Sequence, residues 1–355
     1  MKKTAIVILN WNGKDLMQAF LPALLAHSPE ETAEVIVADN GSTDDSLAFL
    51  SESYPTVRTI PLNENYGFAE GYNRALAGLE NEYVVLLNSD VEVTPGWLTT
   101  AVDYLDKHPE VVALQPKLLD YKKKDSFEYA GACGGYMDIW GYPFCRGRIF
   151  DSVEKDSGQY DLPMEILWGS GACLFIRLKD YKEAGGLDAT FFAHQEEIDL
   201  CWRLNACGKK IVCLPQSVVY HVGGATLAME HPRKTYLNFR NNLLMLYKNL
   251  PEKEYGRVMF LRFFLDYVAA SRFLFKGAGR NACAVWKARR DFRKLKPAYK
   301  EIRKRNLIAS LKELPQGIMP QSLLCRYYIG KKKTFTELQW NKEGQKRLKT
   351  NEEIK

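Results

Sequence analysis

Short apolar runs alternate with amphipathic stretches along the first ninety residues of the chain. Residues 14–26 and 67–80 place apolar side chains at helical spacing. Four other runs have the length and the β-branched content of buried strands, and they cover residues 4–9, 34–39, 57–61 and 84–88. This alternation predicts an α/β fold with a parallel, Rossmann-like sheet. No G-x-G-x-x-G follows the first run, so the dinucleotide-binding fingerprint is absent.

Polar side chains follow three of these predicted strands at the point where each strand ends. They are Asn10-Trp11-Asn12, Asp39-Asn40-Gly41-Ser42 and Asn88-Ser89-Asp90. Open α/β sheets bind ligands at the carboxyl ends of their strands, so we expect these side chains to share one edge. Each segment alone is also a common turn. Together they predict a nucleotide site in which Asp39 accepts hydrogen bonds from a ribose or a base.

The predicted helix that begins at Gly67 adds to this edge. The segment that begins at Gly67-Phe68-Ala69 includes small residues at the helix start, which allow a ligand to approach the backbone closely, and Asn73 follows one or two turns later. A simple helix start is the alternative. Asp90 is a candidate ligand for Mg²⁺ or Mn²⁺, because these cations bind carboxylate and phosphate oxygens.

A dense group of acidic residues follows Phe191-Phe192 in the second half of the chain. Acids in the first turn of a helix interact favourably with its dipole, and Asp199 with Arg203 makes an i,i+4 pair; we assign these two that structural role. Glu196 and Glu197 are adjacent carboxylates beside apolar residues. Their mutual repulsion raises a pKa toward neutrality, which suits a general base.

Two aromatic residues border the predicted site. Trp168 begins the glycine-rich segment Trp168-Gly169-Ser170-Gly171 and is a candidate to stack on a sugar, with a buried aromatic beside glycines as the alternative. His221 ends an apolar strand ahead of Gly223-Gly224. An ordinary surface histidine is the alternative to a ligand there.

The composition is that of a globular protein, with 355 residues, of which 46% are hydrophobic and 26% charged. No stretch reaches 18 uninterrupted apolar residues and no secretory signal begins the chain, so we expect neither a transmembrane helix nor export. The eight cysteines lack metal-ligand spacing, which favours reduced thiols. Charge divides the chain: residues 1–230 carry 19 Lys and Arg against 33 Asp and Glu, whereas residues 231–355 carry 30 against 10.

The basic C-terminal region predicts an anionic partner. Residues 257–275 are rich in aromatic side chains but are interrupted by Arg262, Asp266 and Arg272. This pattern fits a helix lying in the interface of an anionic membrane, or a hydrophobic arm buried against the rest of the protein. Residues 287–305 add basic side chains, and a charged helix of a homodimerising tail is a further alternative. The absence of a nucleic-acid-binding motif argues against nucleic acid.

Four segments together resemble the inverting family 2 glycosyltransferases of GT-A fold, in the rhamnosyltransferase-like branch that builds bacterial cell-surface polysaccharides. They are residues 8–12, 37–44, 65–69 and 87–91, and the resemblance extends over about residues 4–245. It implies a nucleotide-sugar donor, such as dTDP-rhamnose or a UDP-sugar, a glycan or lipid-linked acceptor, and Mg²⁺ or Mn²⁺ at the element that ends in Asp90. Many family members have a carboxylate where this chain has Asn88.

The resemblance also implies roles for individual residues. Glu197 matches the catalytic base, with Glu196 as the neighbouring candidate, and His221 matches a histidine that ligates the metal or touches the diphosphate. Processive members have Gln-x-x-Arg-Trp where residues 238–242 are Asn-Phe-Arg-Asn-Asn, which implies addition of a single sugar. We assign the acceptor to Trp168, Gly169 and His194. We assign the nucleotide sugar to Asn10, Trp11, Asn12, Asp39, Gly67, Phe68, Asn73, Asn88 and Ser89.

These observations predict a GT-A catalytic domain over residues 1–245, followed by a basic, amphipathic helical extension over residues 246–355. Residues 1–120 form the half that binds the nucleotide sugar, and residues 121–245 form the half that binds the acceptor. We expect the protein in the cytoplasm, peripherally on the inner face of the cell membrane. Two other functions fit the residues: a nucleotidyltransferase acting on sugar phosphates, and a non-catalytic protein that binds polysaccharide precursors.

Overall fold

The computed structural model of the chain describes residues 2–223, 231–311 and 314–340. Within these ranges, the strands form one nine-stranded sheet and one five-stranded sheet. In chain order the strands are β1 (Thr4–Asn10), β2 (Ala33–Asn40), β3 (Arg58–Leu62), β4 (Tyr83–Leu87), β5 (Val91–Val93), β6 (Val111–Asp120), β7 (Gly135–Asp138), β8 (Pro143–Cys145), β9 (Arg148–Ile149), β10 (Ser152–Val153), β11 (Met164–Glu165), β12 (Cys173–Arg177), β13 (Lys210–His221) and β14 (Ile318–Met319).

Helices connect and flank these strands. The α-helices of the described ranges are α1 (Lys14–Ala26), α2 (Ser46–Ser53), α3 (Gly67–Ala77), α4 (Trp97–Lys107), α5 (Leu178–Glu183), α6 (Glu196–Ala206), α7 (Pro232–Asn249), α8 (Glu252–Phe275), α9 (Gly279–Leu295), α10 (Lys300–Ala309) and α11 (Phe335–Leu338). Short 3₁₀ and π turns occur at Ala189–Phe191, Lys296–Tyr299 and Cys325–Ile329.

The four strands predicted in the first ninety residues form the parallel half of the large sheet. The strand order is β11-β13-β6-β12-β4-β1-β2-β3, with β5 paired to β13. β1 pairs in parallel with β2 and β4, and β2 pairs in parallel with β3. All five residues of β4 are buried, as its unbroken apolar run predicted. The predicted α/β class with a Rossmann-like parallel half is confirmed.

The second half of the large sheet contains one irregular strand. Pro215 interrupts the apolar run at residues 210–221. The run forms a single strand, β13, whose parallel register to β6 shifts between Leu214 and Val218. Proline lacks the N–H that a regular sheet ladder needs, so the strand continues past it only through this irregularity.

Part of the C-terminal region packs against the smaller sheet. Helix α7 runs across residue 245, where the sequence predicted a domain boundary. β14 pairs in parallel with β7 in the smaller sheet, and the Phe335 ring lies 5.1 Å from that of Tyr136. The segment 318–340 therefore completes the core of the half predicted to bind the acceptor. The eight cysteines all lie within the described ranges, and all are free thiols.

Candidate active site

The carboxyl ends of β1 and β2 hold a buried pair of polar side chains. Asn10 lies opposite Asp39 in the parallel register, and its Nδ2 donates to Asp39 Oδ1 at 3.0 Å. The other carboxylate oxygen of Asp39 accepts from the backbone N–H of Ser42 at 3.0 Å. Both carboxylate oxygens are thus held in place, and Asn10 Oδ1 has no hydrogen-bond partner among the described residues. The predicted convergence of these two strand ends is confirmed.

The residues after Asn10 form a tight loop at the same edge. Asn12 has a φ of 52°, and its Oδ1 accepts from a backbone N–H of the loop after β2 at 2.7 Å. A Cβ on Gly13 would lie 2.4 Å from Asn10 Oδ1 and 3.6 Å from Ser89 Oγ, so only glycine fits between them. Trp11 is 46% exposed, which leaves its ring accessible to a ligand at this edge.

Gly67 and Phe68 begin α3 against the loop that precedes the acidic helix α6. The Phe192 carbonyl accepts from the backbone N–H groups of Phe68 and of the next residue, at 2.6 and 3.2 Å. Gly67 has a φ of 78°, and a Cβ there would lie 2.5 Å from the Phe192 ring. A Cβ on Gly171 would lie 2.9 Å from the Phe68 ring and 3.9 Å from Glu197 Cβ. Two glycines therefore let the start of α3 approach the acidic helix.

Asn73 has partners within the protein, which differs from the nucleotide contact predicted for it. Its Nδ2 donates to the Leu187 carbonyl at 2.8 Å, and its Oδ1 accepts from the Leu187 N–H at 3.0 Å and from the Tyr181 hydroxyl at 2.7 Å. Asn73 thus joins α3 to the turn ahead of the acidic helix. Its role toward the nucleotide stays a prediction, and no unpartnered polar atom of its side chain supports that role.

Asp90, His221 and Glu128 form a buried row of polar groups. Antiparallel pairing sets Val91 of β5 opposite His221 of β13, which brings Asp90 Oδ1 to 3.1 Å from His221 Nε2. On the other side of the ring, Glu128 Oε1 lies at ion-pair distance, 3.2 Å, from Nδ1. Burial by itself lowers the pKa of His221, but the two carboxylates raise it to about 10. Glu128 is a site residue that no sequence pattern indicated.

The Asp90 carboxylate fits a divalent cation, and the His221 ring would fit one after losing a proton, as ligands do when a metal binds. Asn88 adds an amide whose Nδ2 is 3.4 Å from His221 Nε2. No group of three or more His, Cys, Asp and Glu side chains in the described ranges has the spacing of a complete metal site. Mg²⁺ and Mn²⁺ commonly take one or two protein ligands and complete their coordination with substrate phosphates and water. A cation at Asp90 would therefore depend on the diphosphate of a substrate.

Glu196 and Glu197 begin α6 with an unsatisfied oxygen each. Oε2 of both residues is buried and has no hydrogen-bond partner among the described residues. Burial raises the pKa of both carboxyls, that of Glu197 to about 7, and the charge of Glu197 raises that of Glu196 further. The prediction that these neighbours have raised pKa values is confirmed. A carboxyl group that ionises near neutrality and lacks a protein partner is suited to take a proton from a bound hydroxyl.

Asp199, in the same turn of α6, is fully paired. Its carboxylate accepts from Arg203 at 2.9 Å, from Lys248 at 2.8 Å and from Asn249 at 2.8 Å. Burial raises the pKa of Asp199, but the two cations more than offset this and hold the pKa below its ordinary value. The structural role predicted for Asp199 and Arg203 is confirmed. This pairing distinguishes Asp199 from the two unpartnered acids.

Helix α7 holds the loop ahead of α6 in a strained conformation. Phe192, His194 and Gln195 have φ angles of 64°, 71° and 75°. The side-chain amide of Asn241 donates to the backbone carbonyls of residues 191, 193 and 194 at 2.7–3.0 Å. Asn242 donates to Gln195 Oε1 at 3.1 Å. Residues 238–242, which lack the processive motif, thus position residues 191–195, the segment ahead of the two acids of α6, called the acidic loop below. The sequence did not reveal this role.

The predicted acceptor residues have different surroundings. Trp168 is 3% exposed, its Nε1 donates to the Tyr136 carbonyl at 2.9 Å, and a Cβ on Gly135 would lie 2.1 Å from its ring. This is the buried aromatic of the alternative interpretation, and its ring is not accessible to a sugar. Gly169, the next residue, faces the protein core, because a Cβ there would lie 2.7 Å from Leu174 Cδ1. His194 lies in the acidic loop, and burial lowers its pKa to about 4.

Comparison with known proteins agrees with this geometry. Residues 5–150 match the family model described as Glycosyl transferase family 2. The chain is 28% identical over 234 residues to N-acetylglucosaminyl-diphospho-decaprenol L-rhamnosyltransferase of Mycobacterium tuberculosis, an alignment that covers 61% of this chain and 75% of the relative. The matched residues contain the strand ends that carry Asn10, Asp39 and Asp90.

Two solved structures show the same fold. S. aureus TarS 1–349 in complex with UDP-GlcNAc is similar with a TM-score of 0.53 and 17% identity, over 87% of this chain and 89% of that one. GalNAc-T7 with UDP, GalNAc and Mn²⁺ is similar with a TM-score of 0.56 and 15% identity, over 85% of this chain and 57% of that one. The predicted GT-A fold is confirmed. The chain thus resembles glycosyl transferase family 2 proteins over residues 5–150, and it is similar to a rhamnosyltransferase over 61% of its length.

Proposed function

We propose that the protein is an inverting, metal-dependent glycosyltransferase that moves one sugar from a nucleotide-diphosphate sugar to a glycan or lipid-linked acceptor of a cell-surface polysaccharide. The proposed donor is dTDP-rhamnose or a UDP-sugar, because the mycobacterial relative is named as an L-rhamnosyltransferase and the TarS structure holds UDP-GlcNAc. The name of the same relative supports a lipid-linked acceptor. The comparisons favour sugar transfer over nucleotidyl transfer.

The observation that carries the proposal is the position of Glu196 and Glu197, two acids without partners in the described part of the chain, near the sheet edge where the nucleotide sugar is proposed to bind. Glu197 lies next to Gly171 and Phe68, and the neighbouring Ala172 carbonyl accepts from the backbone N–H of Asn88 at 3.0 Å. The loop at residues 171–172 therefore lies between the acidic helix and the strand end that carries Asp90. An acceptor bound over this loop would have its hydroxyl beside Glu197 and the donor diphosphate beside Asp90.

In the proposed reaction Glu197 is the general base. It removes the proton of the acceptor hydroxyl as the acceptor oxygen attacks the anomeric carbon. The bond to the nucleotide diphosphate breaks on the opposite face of the sugar, so the anomeric configuration inverts, and the proton remains on Glu197. The raised pKa of Glu197, about 7, supports this role, because such a carboxyl is ionised yet basic at neutral pH.

The donor side of the proposed site consists of residues at the strand ends. Asp39 and Asn10 are proposed to bind the nucleoside, with Trp11 and Ser89 beside it, and the Asn10 Oδ1 offers an unpartnered acceptor for this purpose. Asp90 and His221 would hold Mg²⁺ or Mn²⁺. A divalent cation bound there supplies positive charge that stabilises the leaving diphosphate. The Mn²⁺ in the GalNAc-T7 structure supports this part of the proposal.

The test is a transfer assay with the full-length protein and a synthetic prenyl-diphosphate acceptor that carries GlcNAc. A panel of nucleotide sugars is supplied with Mn²⁺, released nucleoside diphosphate is measured, and the anomeric configuration of the product is determined by NMR. We expect acceptor-dependent release of nucleoside diphosphate, lost after chelation and in Asp90→Ala, and a product of inverted configuration.

Other outcomes of the same assay would contradict the proposal. Release of pyrophosphate would indicate a nucleotidyltransferase. Tight, metal-dependent donor binding without turnover for any donor and acceptor would indicate a precursor-binding protein. A product of retained configuration would rule out direct displacement with Glu197 as the base.

A further inference from the structure

Helix α8 has the reverse of the usual distribution of apolar and charged residues. Its buried residues are Val258, Arg262 and Asp266, and the two charged side chains are 2% and 0% exposed. Its exposed residues include six large apolar side chains, and the most exposed of them is Phe275, at 91%. The exposed apolar residues are Phe260, Phe263, Phe264, Val268, Leu274 and Phe275. A helix of a soluble globular protein normally buries its apolar stripe, so this arrangement calls for a partner.

The buried charges of α8 are satisfied by the rest of the protein. Arg262 Nε donates to Asp266 Oδ1 at 3.1 Å, and Arg262 Nη1 donates to the Trp140 carbonyl at 3.1 Å. Arg289 of α9 donates to the other Asp266 oxygen, and Arg262 also donates to the side chain of Asn242. Breaking a buried ion pair of this kind is strongly destabilising. The inward orientation of the charged side is therefore fixed, and the aromatic residues are held on the outside.

The same contacts fix α8 relative to the proposed active site. Asn242, which accepts from Arg262, donates to Gln195 Oε1 at 3.1 Å and to the Gly141 carbonyl at 2.9 Å. Gln195 directly precedes the two acids of α6. The outer surface of α8 is thus connected to the acidic loop through two polar contacts.

Four of the outer apolar residues lie on one side of α8. Phe260, Phe264, Val268 and Phe275 follow one another at intervals of four, four and seven residues, which places them on one side of a helix. Exposed cationic residues lie on α8, on the turn that follows it and on α9, which packs against α8. They are Arg257, Arg272, Lys276, Arg280, Lys287, Arg290 and Lys294. An apolar stripe with cationic neighbours suits a surface that is apolar inside and anionic outside.

We propose that the outer face of α8 is a membrane-binding surface, whose apolar side chains insert into the interface of an anionic bilayer while the neighbouring lysines and arginines bind its head groups. The helix lies in the plane of the membrane and does not cross it: no helix in the described ranges is long and apolar enough to span a bilayer. The proposed contact between α8 and the bilayer does not depend on sugar transfer. It would hold the acidic loop at a constant position relative to the lipid surface.

The charge of this region favours a bilayer over a second copy of the chain as the partner of the outer face of α8. A two-fold dimer through this face would place the same cationic residues of both copies against each other, because the two sides of such an interface are identical. The chain carries 30 Lys and Arg against 10 Asp and Glu over residues 231–355, so the repulsion would not be offset within this region. Anionic lipids instead neutralise these charges.

The proposal is tested by vesicle flotation of the full-length protein without nucleotide sugar. The vesicles contain phosphatidylcholine with or without phosphatidylglycerol. Phe260→Ser, Phe264→Ser and Val268→Ser are combined in one variant. The matched control combines Leu47→Ser, Val153→Ser and Leu162→Ser, which replace exposed apolar side chains elsewhere on the surface. Thermal unfolding of both variants should match wild type, because all six positions are exposed.

We expect wild type and the control variant to bind the vesicles with phosphatidylglycerol, and salt to weaken this binding. Burial of one large apolar side chain is worth about a tenfold change in partitioning, so the α8 variant should bind at least about 100-fold more weakly. Equal binding by the α8 variant and wild type would overturn the proposal. So would a lipid-independent dimer in sedimentation velocity that the α8 substitutions dissociate, because the face would then be the interface between two copies.

Discussion

The Asp90 carboxylate and the His221 imidazole lie 3.1 Å apart, although 131 residues separate them in the sequence. The contact exists because β5, a strand of three residues, pairs with the end of β13. The residues that would hold a cation thus come from the turn after β4 and from β13. Formation of the proposed cation site therefore requires that both parts of the large sheet are folded.

Glu128→Gln should weaken cation binding without altering the two proposed ligands. Glu128 Oε1 lies 3.2 Å from His221 Nδ1 and orients the ring that faces Asp90. Loss of an outer carboxylate of this kind typically costs 10- to 100-fold in metal affinity. Calorimetric titration with Mn²⁺ in the presence of nucleoside diphosphate measures the effect, with Glu92→Gln as the control. Unchanged Mn²⁺ affinity in Glu128→Gln would show that Glu128 does not orient a metal ligand.

Glu197→Gln should abolish transfer while donor binding stays within a few-fold of wild type. A positioned base is worth about 10²- to 10⁴-fold in rate, and glutamine retains the size of the side chain without its basicity. In wild type, kcat/KM should rise with pH up to about 7 and then level off, because the base must be ionised. Glu196→Gln should lose less. If Glu196→Gln is the inactive variant instead, Glu196 is the base.

Glu197 should also make the protein less stable at alkaline than at acid pH. Its folded-state pKa of about 7 lies above the ordinary value of 4.5, so the folded protein binds this proton more tightly than the unfolded chain. The contribution to stability is present below pH 4.5 and is lost as the pH rises toward 7. Relative to wild type, Glu197→Gln should gain about 1–3 kcal/mol between pH 4.5 and pH 8. Urea unfolding at both pH values measures this, and an equal difference at the two values would contradict it.

Asn241→Ala should lower kcat more than donor affinity. The Asn241 amide donates to three carbonyls of the acidic loop, and their loss leaves buried acceptors unsatisfied, at a cost of about 1–3 kcal/mol in folding stability. Asn241→Asp, of the same size but without the amide donor, should be at least as damaging. Unfolding in urea and steady-state kinetics are the measurements. Normal kcat in both variants would show that the loop conformation does not depend on α7.

Gly67→Ala should be destabilising and should impair transfer. Gly67 has a φ of 78°, and the added Cβ would lie 2.5 Å from the Phe192 ring. The left-handed conformation alone costs about 1–2 kcal/mol for a residue other than glycine. Gly78→Ala is the matched control at the other end of α3, where φ is −93° and no atom lies within 4 Å of an added Cβ. Equal stability of the two variants would contradict the proposed close packing.

Residues whose roles depend on local pattern were predictable from the sequence. The strand ends at Asn10 and Asp39 share an edge because parallel strands place their carboxyl ends together. Glu196 and Glu197 were identifiable because two adjacent acids follow apolar residues. The bounds of α1, Lys14–Ala26, agree with the predicted helix because its apolar spacing is regular.

Residues whose roles depend on distant contacts were not predictable. Glu128 meets His221 across 93 positions of sequence, and no local signal marks it. The sequence around Trp168 is the same whether its ring binds a sugar or packs on Gly135. In the structure the ring packs on Gly135. Arg262 and Asp266 appear in the sequence as interruptions of an apolar helix face, whereas they are the residues that the helix buries.

The pairing of β14 with β7 has a consequence for how the chain folds during synthesis. Ile318 lies opposite Met137 in the register, so the smaller sheet stays incomplete until the ribosome has made about 180 residues beyond β7. Until then the aromatic surface around Tyr136 and Phe144 lacks Phe335, which packs against both rings. Helix α8 emerges from the ribosome before that final strand. With the proposed membrane contact of α8, a nascent chain would reach a lipid surface before the smaller sheet is complete, and folding of this part would then finish at the membrane.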